Sequence, residues 1–187
     1  MSKVTTFAQR FMKGHPREGQ QTYFVEKFLN QGENNRTYNW RHPKYFNLLI
    51  RLNEKKIKEG KLTREIVKDF YNSLNKDVCD KKGHTIRAGH RWNIGDEFSP
   101  RVWSGKPYRS PQIIFAPDVE VKKSWEFDIH DRLTRINRES HFPYFNGSVI
   151  KRLANNDGLS IDDFLAWFKF PKPFDGQVIC WNESIEY

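Results

Sequence analysis

The stretch KKGHTIRAGHRWNIGD, residues 81–96, holds the side chains around which the rest of the chain is organised. Lys82, Thr85 and Arg87 lie within six positions of one another, and Gly83 leaves the backbone between them free to bend. If the segment after Gly83 is extended, the twofold alternation of a strand puts Thr85 and Arg87 on the same face. Two interpretations stay open: a polar cleft in which the lysine meets the threonine hydroxyl, and an exposed strand edge that carries charge.

Several short motifs resemble the ASCH domain, a branch of the PUA-like β-barrel proteins. The matching motifs, in chain order, are Thr6-Phe-x-x-Arg-Phe11, Lys82-Gly-His-Thr-Ile-Arg87, Trp92-Asn-Ile-Gly-Asp96 and Asp157-Gly-Leu-Ser-Ile-Asp-Asp-Phe164. The resemblance covers residues 1–12 and 78–187 and leaves out the middle of the chain. It implies a small, mostly antiparallel β-barrel with flanking helices.

The same resemblance implies a catalytic set. Family members that remove the acetyl group from N4-acetylcytidine carry a lysine, a threonine three residues later and a distant glutamate. Lys82 and Thr85 match the first two positions, and Asp157, one methylene shorter than glutamate, stands at the third. The implied roles are nucleophile for Thr85, base for Lys82 and orienting acid for Asp157. As an alternative, Asp157 and the glycine after it form a good turn sequence whatever the activity.

The charge of the chain favours a polyanionic partner. Lysine and arginine number 32 against 23 aspartates and glutamates, a net charge of +9 over 187 residues. Residues 81–109 hold seven basic residues against two acids, interleaved with aromatic residues, as in grooves that track phosphates and stack bases. The candidate RNA- or nucleoside-binding residues are Arg87, Arg91, Trp92, Arg101, Trp103, Lys106 and Arg109. The opposing interpretation is that these aromatic rings are buried in the core.

Other classes of protein are disfavoured by what the sequence lacks. Only Cys79 and Cys180 are present, and neither they nor the six scattered histidines show the spacing of metal ligands, so we expect reduced thiols, no metal and no cofactor. There is no long apolar run, and the opening residues lack the apolar core of a signal peptide. A cytoplasmic protein without a membrane partner is therefore expected, and its oligomeric state is left open.

The hydrophobic pattern predicts an α+β fold in one domain, residues 1–187. Residues 38–75 contain two amphipathic helical repeats, around Tyr45 to Leu52 and Ile66 to Leu74, and are predicted to be a helical insertion beside the barrel. Short strands are predicted at 4–11, 96–103, 110–116, 119–129 and 174–181, and helices near 22–28, 148–154 and after a Ser160 cap, with Asp157 in the loop before that last helix. Arg132, Arg135 and Arg138, three residues apart, favour a helical turn.

Three functions remain at this level. The first is amide hydrolysis of an acylated nucleobase or nucleoside such as N4-acetylcytidine. The second is a non-catalytic module that binds single-stranded RNA. The third is a metal-independent ribonuclease in which histidines act as acid and base.

Overall fold

The computed structural model describes residues 2–31, 39–130, 133–136, 140–143, 147–170 and 172–187. The chain is mixed α+β and forms two compact units. Unit 1 comprises Met1–Gln9, Thr22–Asp80 and Glu97–Val119, and unit 2 comprises Arg10–Gln21, Lys81–Asp96 and Glu120–Tyr187. No helix in the described ranges has the length and apolar character that crossing a bilayer requires.

The described residues contain six helices and nine strands. The helices are α1 (Phe24–Leu29), α2 (Lys44–Leu52), α3 (Glu54–Lys58), α4 (Arg64–Ser73), α5 (Gly147–Asp157) and α6 (Ile161–Trp167). The strands are β1 (Lys3–Thr6), β2 (His84–Ala88), β3 (Glu97–Trp103), β4 (Gln112–Ile114), β5 (Val119–Glu120), β6 (Lys123–His130), β7 (Leu133–Ile136), β8 (Ser140–Pro143) and β9 (Phe174–Cys180).

Unit 1 is built on a sheet with the order β1-β3-β4, to which β5 adds by pairing with β3. Strand β1 runs parallel to β3, and β4 runs antiparallel to it. One face of the sheet is buried, because alternate residues of β3 such as Phe98 and Val102 are fully covered. Behind this face the rings of Phe7, Phe28 and Phe115 pack edge to face, with centroids 5.3 to 5.4 Å apart.

The amphipathic helices predicted for the middle of the chain are confirmed, and they pack within unit 1. The Asn53 side chain, after α2, donates to the carbonyl of Ile114 at 2.9 Å and accepts from its N–H at 2.9 Å, as a neighbouring strand would. Lys56 of α3 donates to the carbonyl of Gln112 at 2.7 Å. These bonds satisfy the free edge of β4, which would otherwise be open to another chain. The first residue of the predicted insertion, Tyr38, lies outside the described residues.

Unit 2 is built on a five-stranded, fully antiparallel sheet with the order β2-β9-β6-β7-β8. Helices α5 and α6 cover one face, where the ring of Phe127 in β6 packs against Phe164 and Phe168 with centroid distances of 6.3 and 5.7 Å. The mostly antiparallel character expected from the sequence is therefore confirmed. Across the residues that the structure describes, neither sheet closes on itself, and the barrel stays a prediction.

Three local predictions need correction. Asp157 is the last residue of α5 and does not lie in a loop before α6. The single strand predicted for 119–129 is divided into β5 and β6. Arg135 lies in strand β7, where its Nε donates to the Asp128 carboxylate on the neighbouring strand at 2.7 Å, so cross-strand pairing replaces the predicted helical turn. The other two arginines of that prediction lie outside the described residues.

Candidate functional site

Lys82 and Asp157, 75 positions apart in sequence, form a buried ion pair in unit 2. The Lys82 ammonium contacts Oδ1 of Asp157 and also donates to the main-chain carbonyl of Asp157 at 2.8 Å. Lys82 is 1% exposed and Asp157 is 4% exposed. Removing two charges from water is expensive, and the attraction between them offsets that expense only when the geometry is good. The structure therefore brings together two of the three residues that the resemblance implies.

The end of helix α5 explains how the backbone presents Asp157. Gly158 has a positive φ of 75° and its N–H donates to the carbonyl of Asn155 at 3.0 Å, while the Leu159 N–H donates to that of Ala154 at 2.9 Å. This is a Schellman motif, in which a glycine in the left-handed conformation ends the helix. The turn interpretation of the Asp-Gly pair is thus correct for the backbone. It leaves the buried carboxylate unexplained.

Two residues that the sequence analysis did not select complete the polar cluster. His84 is fully buried, and its Nδ1 lies 2.7 Å from the hydroxyl of Tyr187. That hydroxyl also accepts a hydrogen bond from the Asn156 side chain at 2.9 Å. The other ring nitrogen of His84, Nε2, lies 3.8 Å from Oδ1 of Asp157, which is beyond hydrogen-bond distance.

Both additional groups are neutral near pH 7. Burial, and then the Lys82 charge, hold the pKa of His84 well below its usual 6.5, although the Leu153 carbonyl opposes this. Burial likewise raises the pKa of the Tyr187 hydroxyl far above its usual value, against the hydrogen bond from Asn156. The lysine and the aspartate therefore carry the charge of the cluster.

Thr85 lies in β2, next to this cluster in sequence and 6% exposed. Strand β2 pairs with β9, with Thr85 opposite Ile179 and Arg87 opposite Gln177, so Thr85 and Arg87 share the strand face opposite to that of His84. The extended segment expected from the sequence is therefore confirmed.

The charge of Asp157 influences Arg87, which lies on the same strand face as Thr85. Burial lowers the pKa of Arg87 to about 10, while the Asp157 carboxylate opposes this shift and the Arg91 charge adds to it. The same carboxylate lies beside His84 on the opposite face. Strand β2 is at an edge of its sheet.

The predicted binding residues of unit 2 differ in exposure. Arg91 is exposed, with its guanidinium 5.5 Å from the centre of the Trp92 ring. Trp92 itself is only 2% exposed, and its main chain is held by the Gln177 side chain, which accepts from the Trp92 N–H at 2.9 Å and donates to its carbonyl at 3.1 Å. The prediction that Trp92 stacks on a base is therefore wrong, because the ring is part of the core.

The remaining binding candidates belong to unit 1. Arg101 and Trp103 are alternate residues of β3, half-buried on the face of the sheet that is not covered by the core. Lys106 and Arg109 are exposed in the loop that follows. In the same loop Tyr108 is 89% exposed, and its ring lies 5.2 Å from that of Trp103.

In the described part of the chain, no three His, Cys, Asp or Glu side chains cluster as metal ligands. Both cysteines are free, Cys79 exposed and Cys180 buried. No family model matches the chain, and neither a curated protein nor a solved structure is significantly similar to it.

Proposed function

We propose that unit 2 carries an ASCH-like site, on a PUA-like barrel scaffold, that hydrolyses the amide of an acylated nucleobase or nucleoside such as N4-acetylcytidine. One observation carries the proposal: Lys82 and Asp157, the lysine and the acid that the resemblance implies, are in contact although 75 positions separate them. Functional sites are the places where such perturbed, buried charges concentrate.

The chemistry assigns one role to each residue. The Thr85 hydroxyl attacks the acyl carbonyl while neutral Lys82 accepts its proton. The tetrahedral intermediate then breaks its C–N bond as Lys82 returns that proton to the departing amine nitrogen, and water hydrolyses the acyl-threonine to release the acid. Asp157 holds the lysine in place through its carboxylate and its main-chain carbonyl. Arg87, on the same strand face as Thr85, supplies positive charge for the oxyanion that develops on the substrate. His84 lies beside the acid on the other face, with Nε2 3.8 Å from Oδ1 of Asp157.

The ion pair sets the resting state of this mechanism. Asp157 stabilises the ammonium form of Lys82, whereas a general base must be a neutral amine. The active form is therefore a minor one at neutral pH, and turnover should increase with pH until the amine is fully deprotonated. The site is also closed: of the three residues Thr85 is the most exposed, at 6%. Substrate entry thus requires the residues around Thr85 to move.

The decisive experiment follows the release of acetate from N4-acetylcytidine by chromatography. Thr85→Ala should abolish turnover, because it deletes the nucleophile, whereas the matched variant Thr85→Ser keeps a hydroxyl and should retain activity. Lys82→Ala should reduce the rate at least the ~100-fold typical of losing a general base. Asp157→Asn should reduce it less, and Asp157→Glu, which restores the length of the family's acid, should be tolerated. Folded wild-type protein without turnover on any acylated nucleoside would refute the proposal.

A non-catalytic RNA-binding module is the second candidate, and the exposed basic residues support it. Arg91 in unit 2 and Lys106 and Arg109 in unit 1 are all exposed, and the net charge is +9. The ribonuclease alternative has less support. His84, the histidine nearest the candidate nucleophile, is fully buried and has a lowered pKa, so it cannot reach a phosphodiester in this conformation.

A further inference from the structure

Tyr108 of unit 1 has an exposed aromatic side chain and a backbone conformation that tyrosine rarely adopts. The Arg109 N–H donates to the carbonyl of Lys106 at 3.1 Å and closes a four-residue turn, with Pro107 second and Tyr108 third. The φ of Tyr108 is +62°. A turn with proline second and a positive φ at the third residue normally has glycine or asparagine there. A tyrosine at this position is strained, and its ring is 89% exposed, so neither the backbone nor the core accounts for it.

The ring of Tyr108 lies beside the ring of Trp103, in a loop that contains its own hydrogen bonds. The Ser110 hydroxyl accepts from the Gly105 N–H at 2.9 Å and donates to the carbonyl of Lys106 at 2.9 Å. Both hydrogen bonds connect residues within the loop. The rings of Tyr108 and Trp103 lie with centroids 5.2 Å apart at an angle of 51°. The exposed ring of Tyr108, beside the half-buried ring of Trp103, is an aromatic surface on which a base can stack.

Positive charge without a carboxylate partner lies on the same face of the sheet. Arg101 shares the face of β3 with Trp103 and donates to the side chain of Gln112 at 3.3 Å, while Lys56 donates to the main-chain carbonyl of Gln112 at 2.7 Å. Within the described ranges neither cation forms an ion pair, although the exposed Asp118 partly offsets the charge of Arg101.

Both cations have lowered pKa values. Burial, and then the charge of Arg101, lower the pKa of Lys56 to about 8. Burial likewise lowers the pKa of Arg101. Burial is the main cause in both cases, and a bound anion would stabilise the charged forms of these partly buried cations.

We infer that this part of unit 1 binds single-stranded nucleic acid, with a base stacked on Tyr108 and Trp103 and the backbone phosphates held by Lys56 and Arg101. Charge complementarity selects a polyanion, and the exposed Tyr108 ring beside Trp103 selects one that carries bases. Lys106 and Arg109 extend the positive surface along the same loop. The inference uses none of the residues of the proposed hydrolase site.

The test measures the fluorescence anisotropy of a labelled single-stranded oligoribonucleotide of about ten nucleotides, within the site sizes of such surfaces. Tyr108→Gly should weaken binding about tenfold by removing the stacking ring. It should not lower the unfolding temperature, because glycine suits the positive φ. Tyr108→Phe keeps the ring and should bind like the wild type.

Charge variants complete the test. Lys56→Gln and Arg101→Gln should each reduce the slope of log K against log salt by about 0.7, the value for one phosphate contact on a single strand. The control Lys68→Gln removes the same charge from the exposed side of α4 and should leave the slope unchanged. Thr85→Ala should bind like the wild type, which separates this site from the hydrolase proposal.

Two results would overturn the inference: unchanged affinity in Tyr108→Gly, or an effect of Lys68→Gln equal to that of Arg101→Gln, which would indicate diffuse attraction only. A DNA oligonucleotide of the same sequence tests whether this surface binds RNA, DNA or both. Binding that depends on the Tyr108 ring supports the proposed site with either nucleic acid.

Discussion

Removing one partner of the buried Lys82–Asp157 pair should destabilise unit 2 strongly and unequally. Asp157→Asn leaves an ammonium that is 1% exposed without its counter-charge, a change that typically costs about 3–5 kcal/mol. At roughly 2–4 °C per kcal/mol for a chain of this size, the unfolding midpoint should fall by about 6–20 °C. Lys82→Met should cost less, because the carboxylate that remains lies 3.8 Å from Nε2 of His84 and is close enough to Arg87 to influence its pKa.

The double variant Lys82→Met/Asp157→Asn measures the interaction between the two side chains separately from the effect of losing each one. It removes both charges, so it should be less destabilised than the sum of the single variants, with a coupling energy of about 1–3 kcal/mol. The measurement is thermal unfolding followed by circular dichroism. As a control, Lys58→Met breaks an ion pair with Glu54 in which both side chains are mostly exposed, and it should not shift the midpoint measurably. If Asp157→Asn shifts the midpoint no more than this control does, the pair is not buried and the reasoning is wrong.

Two further predictions concern the same sheet. The pKa of His84 is depressed in the folded state, so the unfolded chain binds more protons below pH 6.5, and stability should fall as the pH drops from 6.5 towards the depressed value. His84→Gln should flatten that part of the curve of urea midpoint against pH, and identical curves would count against the neutral, buried histidine. At Gly176, an added Cβ would lie 2.1 Å from the carbonyl oxygen of Arg87, so Gly176→Ala should cost about 1–3 kcal/mol in urea unfolding. Gly105→Ala, whose Cβ would meet only ordinary contacts, is the control, and equal stability of the two variants would contradict the close approach of β9 to β2.

The elements that could be predicted from the sequence are those whose signals are local. Helix α4 follows from its apolar spacing and begins after Thr63, whose hydroxyl accepts from the Ile66 N–H. Helix α6 begins after Ser160, whose hydroxyl accepts from the Asp163 N–H at 3.1 Å, as the capping pattern predicts. In both cases the bond that starts the helix joins residues three apart, so a short window of sequence contains all the information.

Which side chains are buried could not be predicted from such short windows of sequence. Trp92 and Trp103 look alike in sequence, each close to basic residues, yet Trp92 is in the core and Trp103 is half-buried. The difference comes from Gln177, 85 positions away, which binds the main chain at Trp92. Similarly, Arg135 lies in a strand because Asp128 faces it across the sheet, which a three-residue spacing of arginines does not reveal.

The contacts of the candidate site also join residues that are far apart in sequence, so local patterns did not predict them. No local pattern connects Lys82 with Asp157, and only the family resemblance suggested the pair. The contact between His84 and Tyr187 spans 103 positions, and no sequence signal pointed to the tyrosine. His84 stood between the lysine and the threonine of the central motif, and the alternation of a strand, which turns it away from Thr85, indicated that it has a different environment.

The choice of an acid at position 157 is not explained by the fold alone. The Schellman motif requires Gly158 but sets no requirement for a carboxylate before it. A negative charge at a helix C terminus is unfavourable, and burying it adds to the penalty, so an uncharged residue at 157 would give a more stable turn. Lys82 offsets these penalties, yet a buried ion pair is often no more stable than apolar residues of the same volume. Stability alone therefore favours neither residue. Because sequences depart from the locally favourable choice mainly at functional sites, the pair marks the position in unit 2 where chemistry is most to be expected.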